Sequence, residues 1–185
     1  INCLCYHAGL SREQRELSQT RFLHEKDAVI VATIAFGMGI DKADVRFVAH
    51  TSLPKSIENY VQEIGRAGRD GQKAEAWLCF SGGDAFFQKK RIAESDAEDW
   101  YKNISEVKQD VMQGYAESTE CRRNLLLAYF GEETKEAFGQ CDNCLASEKS
   151  WDASTAVKKF LSTVWRSYEK SKLYLNAAQV IEILH

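Results

Sequence analysis

This sequence of 185 residues has no hydrophobic run long enough to span a bilayer and no signal-peptide pattern at its start, so we expect no membrane partner. Internal repeats and low-complexity tracts are also missing, which argues against a repeat array or a disordered tail. There is no initiator Met, and residues 1–6 have the pattern of a strand already in progress. We therefore expect a fragment of a longer protein.

Charge of one sign does not dominate the chain, whose net charge of −3 argues mildly against a dedicated nucleic-acid binder. The distribution is uneven, however. Residues 92–136 carry eleven acids and five bases, whereas residues 151–185 carry five bases and three acids. A basic C-terminal piece after an acidic middle is compatible with partial contact to nucleic acid.

Five of the six cysteines fall into two groups, and the sixth, Cys121, lies in a helix predicted for the second part of the chain. Cys3, Cys5 and Cys79 lie in apolar strand-like runs, where a free cysteine is usually a small core residue. Cys141 and Cys144 form a CxxC in a polar segment, which indicates a metal site in a reducing compartment rather than a disulfide framework.

Strands and helices alternate through the first 81 residues, which predicts an α/β domain with a parallel sheet. The apolar run 28–33 has the pattern of a strand buried on both faces. A helix is expected from the capping box at Ser11 to about His24, with Leu17 and Phe22 in the core, and another from Pro54 to Ile64. The predicted strands are residues 2–6, 28–33, 45–50 and 76–80.

Helices alone are predicted after Ser81. The first two cover about 83–94 and 98–115, and the third begins near Ser118 or Thr119 and continues to residue 130. A fourth is capped by Asp152 or Ser154, and Asn176 caps the last. The fourth helix, to Ser167, has a predicted apolar face of Val157, Phe160, Leu161 and Val164.

The segment 62–71, Gln-Glu-Ile-Gly-Arg-Ala-Gly-Arg-Asp-Gly, presents Arg66 and Arg69 on a glycine-rich turn after a predicted helix. Glycine lets a ligand approach the backbone, and arginine matches phosphate oxygens with a fixed fork of donors. This pattern indicates a phosphate-sensing turn. The alternative, two solvated arginines on an ordinary turn, is common for such a motif taken alone.

Polar residues at the predicted strand ends form a second group of candidates. A hydroxyl, backbone amides and a lysine in this position can hold phosphate groups, although an ordinary strand exit has the same composition. His7 follows another strand and is either structural or functional. The candidates after the second strand are Thr33, Gly37, Gly39, Asp41 and Lys42.

Taken in order, Tyr6-His-Ala-Gly-Leu10, residues 31–42 and residues 62–71 resemble the second RecA-like domain of RecQ-family DNA helicases, the last two being similar to helicase motifs V and VI. RNA helicases of the same superfamily typically have a His-Arg-Ile-Gly-Arg-like sequence where this chain has Gln62-Glu-Ile-Gly-Arg66. That departure favours RecQ. The resemblance covers residues 1–81.

Residues 120–144, with Cys121 and the CxxC, resemble the RecQ zinc-binding module, which uses four cysteines. This chain offers Cys121, Cys141 and Cys144, has Phe138 at the usual bacterial position of the remaining cysteine, and has no His in the module. We expect three-thiolate zinc with a non-cysteine or solvent ligand, the alternative being a helical hairpin without metal. Residues 151–185 look like the start of a winged helix, in which Lys158, Lys159, Arg166, Lys170 and Lys172 are possible backbone contacts.

The resemblance implies three parts: a partial RecA-like domain over 1–81, the zinc module over 82–150 and the start of a winged helix over 151–185. It implies a 3′-to-5′ DNA helicase of recombination and repair that uses ATP with Mg²⁺ and meets single strands and duplex junctions, in the bacterial nucleoid or a nucleus. Because the chain has no GxxxxGK[ST] stretch, we expect another domain to hold the phosphates and Mg²⁺. The alternative is a non-catalytic DNA- or protein-binding module.

The same resemblance implies a role for each candidate residue. Arg69 is the expected arginine finger, with Arg66 as its partner in coupling and Gln62 nearby. The loop of Gly37, Gly39 and Asp41 is expected at the nucleotide, and the expected DNA contacts are His7, Thr33 and Lys42.

Overall fold

A computed structural model of the chain describes residues 2–36, 40–132, 134, 138–146, 151–172 and 174–184. Two compact units are present, residues 1–144 and residues 145–185. No helix of the described residues is long and apolar enough to cross a bilayer. Gly37 and Gly39, predicted at the nucleotide, lie outside the described residues.

The first unit begins with a βαβ element that consists of β1 (Asn2–Tyr6), α1 (Arg12–His24) and β2 (Ala28–Ala32). The two strands are parallel, with Asn2 opposite Ala28 and Tyr6 opposite Ala32. Helix α1 starts with the predicted capping box, because Ser11 Oγ accepts from the Gln14 amide at 3.2 Å and Gln14 Oε1 accepts from the Ser11 amide at 3.0 Å. The predicted first helix and the parallel pairing are therefore confirmed.

A second βαβ element follows, with β3 (Phe47–His50), α2 (Ile57–Ile64) and β4 (Glu75–Leu78). Strands β3 and β4 are also parallel. Helix α2 begins at Ile57 rather than at Pro54, because the Ser56 hydroxyl accepts from the Asn59 amide and caps the helix there. The predicted start of this helix was wrong by one turn.

Each pair of strands packs on one face only, and this corrects several core predictions. Leu4 of β1 is buried, whereas its neighbours Cys3 and Cys5 are exposed, as is Cys79 after β4. Val31 in β2 is 61% exposed, so the predicted burial of that strand on both faces is wrong. The reason is that β1–β2 and β3–β4 are separate two-stranded sheets among the described residues, and side chains alternate between the packed and the open face.

Two apolar clusters hold the unit together. Leu4, Phe22 and Ile40 pack between α1 and the first pair of strands, while Leu17 on the same helix is 61% exposed, against expectation. The larger cluster lies between α2 and the long helix α4 (Asp99–Glu117). Its buried members are Leu53, Ile57, Tyr60, Met112 and Tyr115.

The remaining helices of the first unit are α3 (Gly82–Ala93), α5 (Arg122–Tyr129) and the one-turn α6 (Asp142–Leu145), whose last residue lies past the unit boundary. Helix α5 begins after Cys121, later than the predicted start near Ser118. In the second unit, α7 (Ser154–Ser171) ends four residues later than predicted, and its N-cap is Ala153 rather than Asp152 or Ser154. Helix α8 (Ala177–Leu184) follows the predicted cap Asn176, whose Oδ1 accepts from the Gln179 amide at 3.0 Å. Most of the apolar face predicted for α7 is exposed.

Candidate functional site

The glycine-rich turn after α2, residues 65–71, is fixed to the loop that follows β2. The Gly68 amide donates to Val45 O at 2.9 Å and the Asp70 amide to Ala43 O at 3.2 Å. Gly68 has a φ of +68°, and a Cβ there would lie 3.0 Å from Gln72 O. Because that conformation and that spacing both favour glycine, we expect the turn to require glycine at residue 68.

Arg69 lies at the junction of these two segments. Its Nη1 donates to Asp41 Oδ1 at 3.0 Å and to Ile40 O at 3.4 Å, and its Nε donates to Gly65 O at 3.3 Å. The side chain is 40% exposed, and among the described residues Nη2 has no hydrogen-bond partner. Arg69 is therefore oriented by the protein while keeping donors for an incoming anion.

Arg66 and Gln62 lie at the C-terminal end of α2 and in the adjoining turn. The Arg66 guanidinium is half-buried and forms no ion pair or hydrogen bond within the described part of the chain. Gln62, on the last turn of the helix, is exposed. The structure thus brings Arg69 into contact with Asp41, with Arg66 three residues earlier in the chain. That these residues sense phosphate stays a prediction.

A second arginine pairing, which sequence reasoning missed, supports the turn from its other side. Arg46 Nη2 lies 2.5 Å from Asp70 Oδ2, and Arg46 Nη1 donates to Lys73 O at 3.2 Å. Hydrogen bonding from Arg46 holds the pKa of the Asp70 carboxyl below its usual range. Arg46 and Asp70 are 24 residues apart, and no short-range motif links them.

The other predicted site residues have different surroundings. Lys42 is turned inward: its ammonium donates to Leu23 O and Glu25 O at 3.3 and 3.2 Å, and its side chain is 9% exposed. Thr33 is exposed at the end of β2, and its amide donates to Tyr6 O. His7 is half-buried and its Nδ1 accepts from the Gly9 amide at 3.2 Å.

The three cysteines predicted as ligands come together although Cys121 is 20 residues from Cys141 in the sequence. The Sγ atoms of Cys121, Cys141 and Cys144 all lie within 4.8 Å of one another, and all three residues are half-buried. Cys121 is the N-cap of α5, Cys141 immediately precedes α6 and Cys144 lies within it. Backbone hydrogen bonding from Asn124 lowers the pKa of the Cys121 thiol to about 7.

Arg122 organises the segment around these thiols, a role that the sequence did not reveal. Its amide donates to Cys141 Sγ at 3.4 Å, and its guanidinium makes two contacts of 3.0 Å with the Asp142 carboxylate. The same guanidinium donates to Tyr115 O and, at 3.3 Å, to Ala116 O near the end of α4. Arg122, at the start of α5, thus contacts both α6 and the end of α4.

Asn143 completes the support, since its Nδ2 donates to Ser118 O at 2.8 Å and to Glu120 O at 2.6 Å. The two residues inside the CxxC therefore fix the loop, while its cysteines remain free to converge. Three adjacent thiols are a donor set that Zn²⁺ prefers. The residues present fit zinc, with one position of a tetrahedron left over.

Comparison with known proteins matches two successive parts of the chain to two family models. Residues 1–71 match the family model described as helicase conserved C-terminal domain, and residues 82–145 match the one described as RecQ zinc-binding. The chain belongs to the RecQ family. It corresponds to the C-terminal region of a RecQ-family helicase, and the zinc-binding match accounts for the cysteine cluster.

Named RecQ relatives cover most of the chain. It is 44% identical over 166 residues to the ATP-dependent DNA helicase RecQ of Pasteurella multocida, covering 90% of this chain and 26% of that protein. The corresponding protein of Bacillus subtilis is 41% identical, with 89% and 28% covered. A protein of Acanthamoeba polyphaga mimivirus, provisionally named an ATP-dependent RNA helicase, is 45% identical, with 81% and 27% covered. The chain spans about a quarter of the length of these relatives.

Proposed function

We propose that this chain is part of an ATP-dependent DNA helicase that moves 3′-to-5′ and acts in recombination and repair. Within it, residues 1–81 form one side of the ATP cleft, residues 82–150 form a zinc module and residues 151–185 begin a winged helix. The arrangement of Arg69 carries this proposal. Its guanidinium is oriented by Asp41 and by two backbone carbonyls, and it keeps donors toward solvent.

The chemical role of Arg69 follows from phosphoryl transfer. Negative charge spreads over the γ-phosphate oxygens in the transition state, and an arginine held in place beforehand stabilises that charge. Arg66, half-buried and unpaired within the described residues, is the partner that couples the nucleotide to the helix end. The phosphate-binding loop and the Mg²⁺ ligands belong to another domain, since this chain has no GxxxxGK[ST] stretch.

The DNA contacts proposed for this part are Thr33 and His7, at the ends of neighbouring parallel strands. Ligands of such sheets bind beyond the carboxyl ends of the strands, which supports this position. Lys42 has a different role in the proposal, because its ammonium donates hydrogen bonds to carbonyls at the end of α1. It fixes the loop that carries Asp41, and it does not contact DNA directly in this conformation.

Zinc is proposed to stabilise the second part without taking part in hydrolysis. Cys121, Cys141 and Cys144 would hold it, and the bound ion would supply a cross-link between the start of α5 and the CxxC. The relatives named as DNA helicases support action on DNA, and we expect this action in a bacterial nucleoid or a nucleus.

The test uses the full-length protein that joins this chain to a phosphate-binding-loop domain. Partial duplexes of DNA and of RNA, each with a 3′ or a 5′ tail, are offered with ATP and Mg²⁺. We expect ATP-dependent displacement on 3′-tailed DNA and little on the other three substrates. Preferential unwinding of RNA would contradict the proposal that the substrate is DNA. RNA is included because one relative is named as an RNA helicase.

The isolated chain provides the matching control. We expect it to hydrolyse no ATP, because the groups that bind Mg²⁺ and the phosphates are on the other domain. DNA-stimulated turnover by the isolated chain would refute this division of labour. A full-length protein that has an intact phosphate-binding loop but binds DNA without hydrolysing ATP would favour the non-catalytic module.

A further inference from the structure

The thiolate cluster provides three of the four ligands that a tetrahedral zinc ion takes. The three Sγ atoms are mutually within 4.8 Å, a spacing that allows one ion to contact all of them. Within the described residues, no further His, Cys, Asp or Glu side chain joins this group. One coordination position therefore has no ligand from the described part of the chain.

A backbone amide donates to one of these sulfurs. The Arg122 amide lies 3.4 Å from Cys141 Sγ. Amide donors of this kind accompany metal-bound thiolates and tune them. Three converging thiols with such a donor favour a metal site over a chance proximity.

The neighbouring side chains are occupied elsewhere. The Phe138 ring, next to Gly139 in the loop, lies under the Arg123 guanidinium at 4.7 Å, an aromatic–cation contact that anchors this end of the loop. The Asp142 carboxylate, between the two cysteines of the CxxC, is held by Arg122 at 3.0 Å. Neither residue offers a donor to the ion in this arrangement.

We propose that the zinc ion has three protein thiolates and a fourth, exchangeable ligand from solution, which is water or a small imidazole or thiol donor. Zinc sites with three protein ligands characteristically keep such an open position. The half-buried state of all three cysteines leaves it within reach of small molecules. This inference rests on the proposed zinc site and adds that the site binds ligands.

The experiment uses the full chain loaded with Co²⁺, whose visible absorption reports the number of thiolates and the geometry. Metal content is measured first. One metal per chain is expected, together with a spectral shift on titration with imidazole and with 2-mercaptoethanol. A metal-free chain would overturn both the zinc site and the open position, whereas one bound metal with an unresponsive spectrum would overturn the open position alone.

Phe138→Cys provides the matched variant, because it introduces a fourth thiol where the structure has the aromatic ring. We expect its Co²⁺ spectrum to move toward that of a four-thiolate site, to stop responding to imidazole, and to release metal to a chelator at least about tenfold more slowly than the native chain. Phe138→Leu, which removes the ring without adding sulfur, should keep the imidazole response. A Phe138→Leu variant that loses this response would overturn the proposal.

Two further variants test whether the chain itself fills the fourth position. Glu133 and Glu136 lie in the segment between α5 and Phe138, outside the described residues. Glu133→Gln and Glu136→Gln should leave the spectrum and its imidazole response unchanged. If the native chain fails to respond and either variant gains the response, a carboxylate of the chain is the fourth ligand and the position is not open.

Discussion

The arginine turn, residues 65–71, and the thiolate cluster of Cys121, Cys141 and Cys144 differ in how their charge is balanced. In the turn, the arginine charges are balanced by carboxylates of the same chain, since Arg69 pairs with Asp41 and Arg46 pairs with Asp70. Two backbone amides of the turn also donate to carbonyls of the 43–45 segment. In the cluster, the Arg122 guanidinium is directed to Asp142 and to helix carbonyls rather than to the sulfurs. The first site should keep its shape without a ligand, whereas the second depends on a metal ion.

The largest effect should come from Cys144→Ser, which removes one of three thiolates. We expect complete loss of the metal and rapid protease cleavage near residues 132–143, because the polar sequence of this segment offers little apolar surface for packing. Four-ligand structural zinc sites contribute about 10–16 kcal/mol to folding, and a three-thiolate site should contribute less. Metal analysis and limited proteolysis measure both results.

Cys79→Ser is the control for that variant, since Cys79 is an exposed free cysteine outside the cluster. It should retain one zinc per chain and the native resistance to protease. If metal-free native protein were as resistant as the zinc form, the loop would be held by packing, and the contrast between the two sites would disappear.

Arg69→Ala should have the next largest effect, and only on the other site. In the full-length protein we expect ATP turnover to fall by about 10³-fold, the scale seen when an arginine finger is missing from phosphoryl-transfer enzymes. DNA affinity and zinc content should change little. Steady-state ATPase assays with saturating DNA, together with DNA-binding titrations, separate these effects.

Arg12→Ala is the matched control, because Arg12 is a highly exposed arginine on α1 that pairs with Glu16. Its turnover should equal that of the native protein. A collapse of DNA binding in Arg69→Ala, with hydrolysis per bound complex preserved, would identify Arg69 as a DNA contact instead.

A smaller effect, on stability, distinguishes two glycines of the turn. Gly68→Ala combines a φ of +68° with contacts of 3.0 and 3.1 Å from the new Cβ, and should cost about 1–3 kcal/mol. Gly71→Ala has a similar φ of +77° but no atom within 4 Å of a Cβ, so its only cost is the strain of alanine at a positive φ. Urea unfolding of both variants gives the difference, and equal costs would mean that the Gln72 carbonyl shifts freely.

The smallest effect concerns the Arg46–Asp70 pair and its dependence on pH. Since the folded pKa of Asp70 is below its unfolded value, the stabilisation is complete above about pH 4 and is lost as the pH falls through the lowered value. Asp70→Asn should remove this part of the acid sensitivity, whereas Asp27→Asn, at an exposed position, should not. Stability measured between neutral and acid pH compares the two.

Local signals in the sequence predicted much of this structure. The capping box at Ser11 and the cap at Asn176 involve residues three apart, so a short motif contains all the necessary groups. The start of α2 was predicted at Pro54, which is wrong because a proline is tolerated near a helix start without determining it. Ser56 supplies the capping hydrogen bond instead.

Features that join distant residues were not predictable in the same way. The Arg46–Asp70 pair and the Arg122 contacts depend on the fold bringing separate segments together. The exposure of Cys3, Cys5 and Val31 was missed because an apolar run hides the alternation between the two faces of a strand. The cysteine cluster was found because the CxxC is a local motif, and the resemblance to the RecQ zinc-binding module added Cys121 to it.

The inward position of Lys42 has a consequence for chemical labelling. Its ammonium is enclosed by two helix-end carbonyls, by Asp44 at 3.2 Å and by the Phe22 ring at 5.7 Å. An amine-reactive reagent must displace all of these before it can acylate the nitrogen, so Lys42 should react much more slowly than exposed lysines such as Lys73. Its labelling rate, followed by peptide mass, therefore measures how often the loop that leads to Asp41 opens locally.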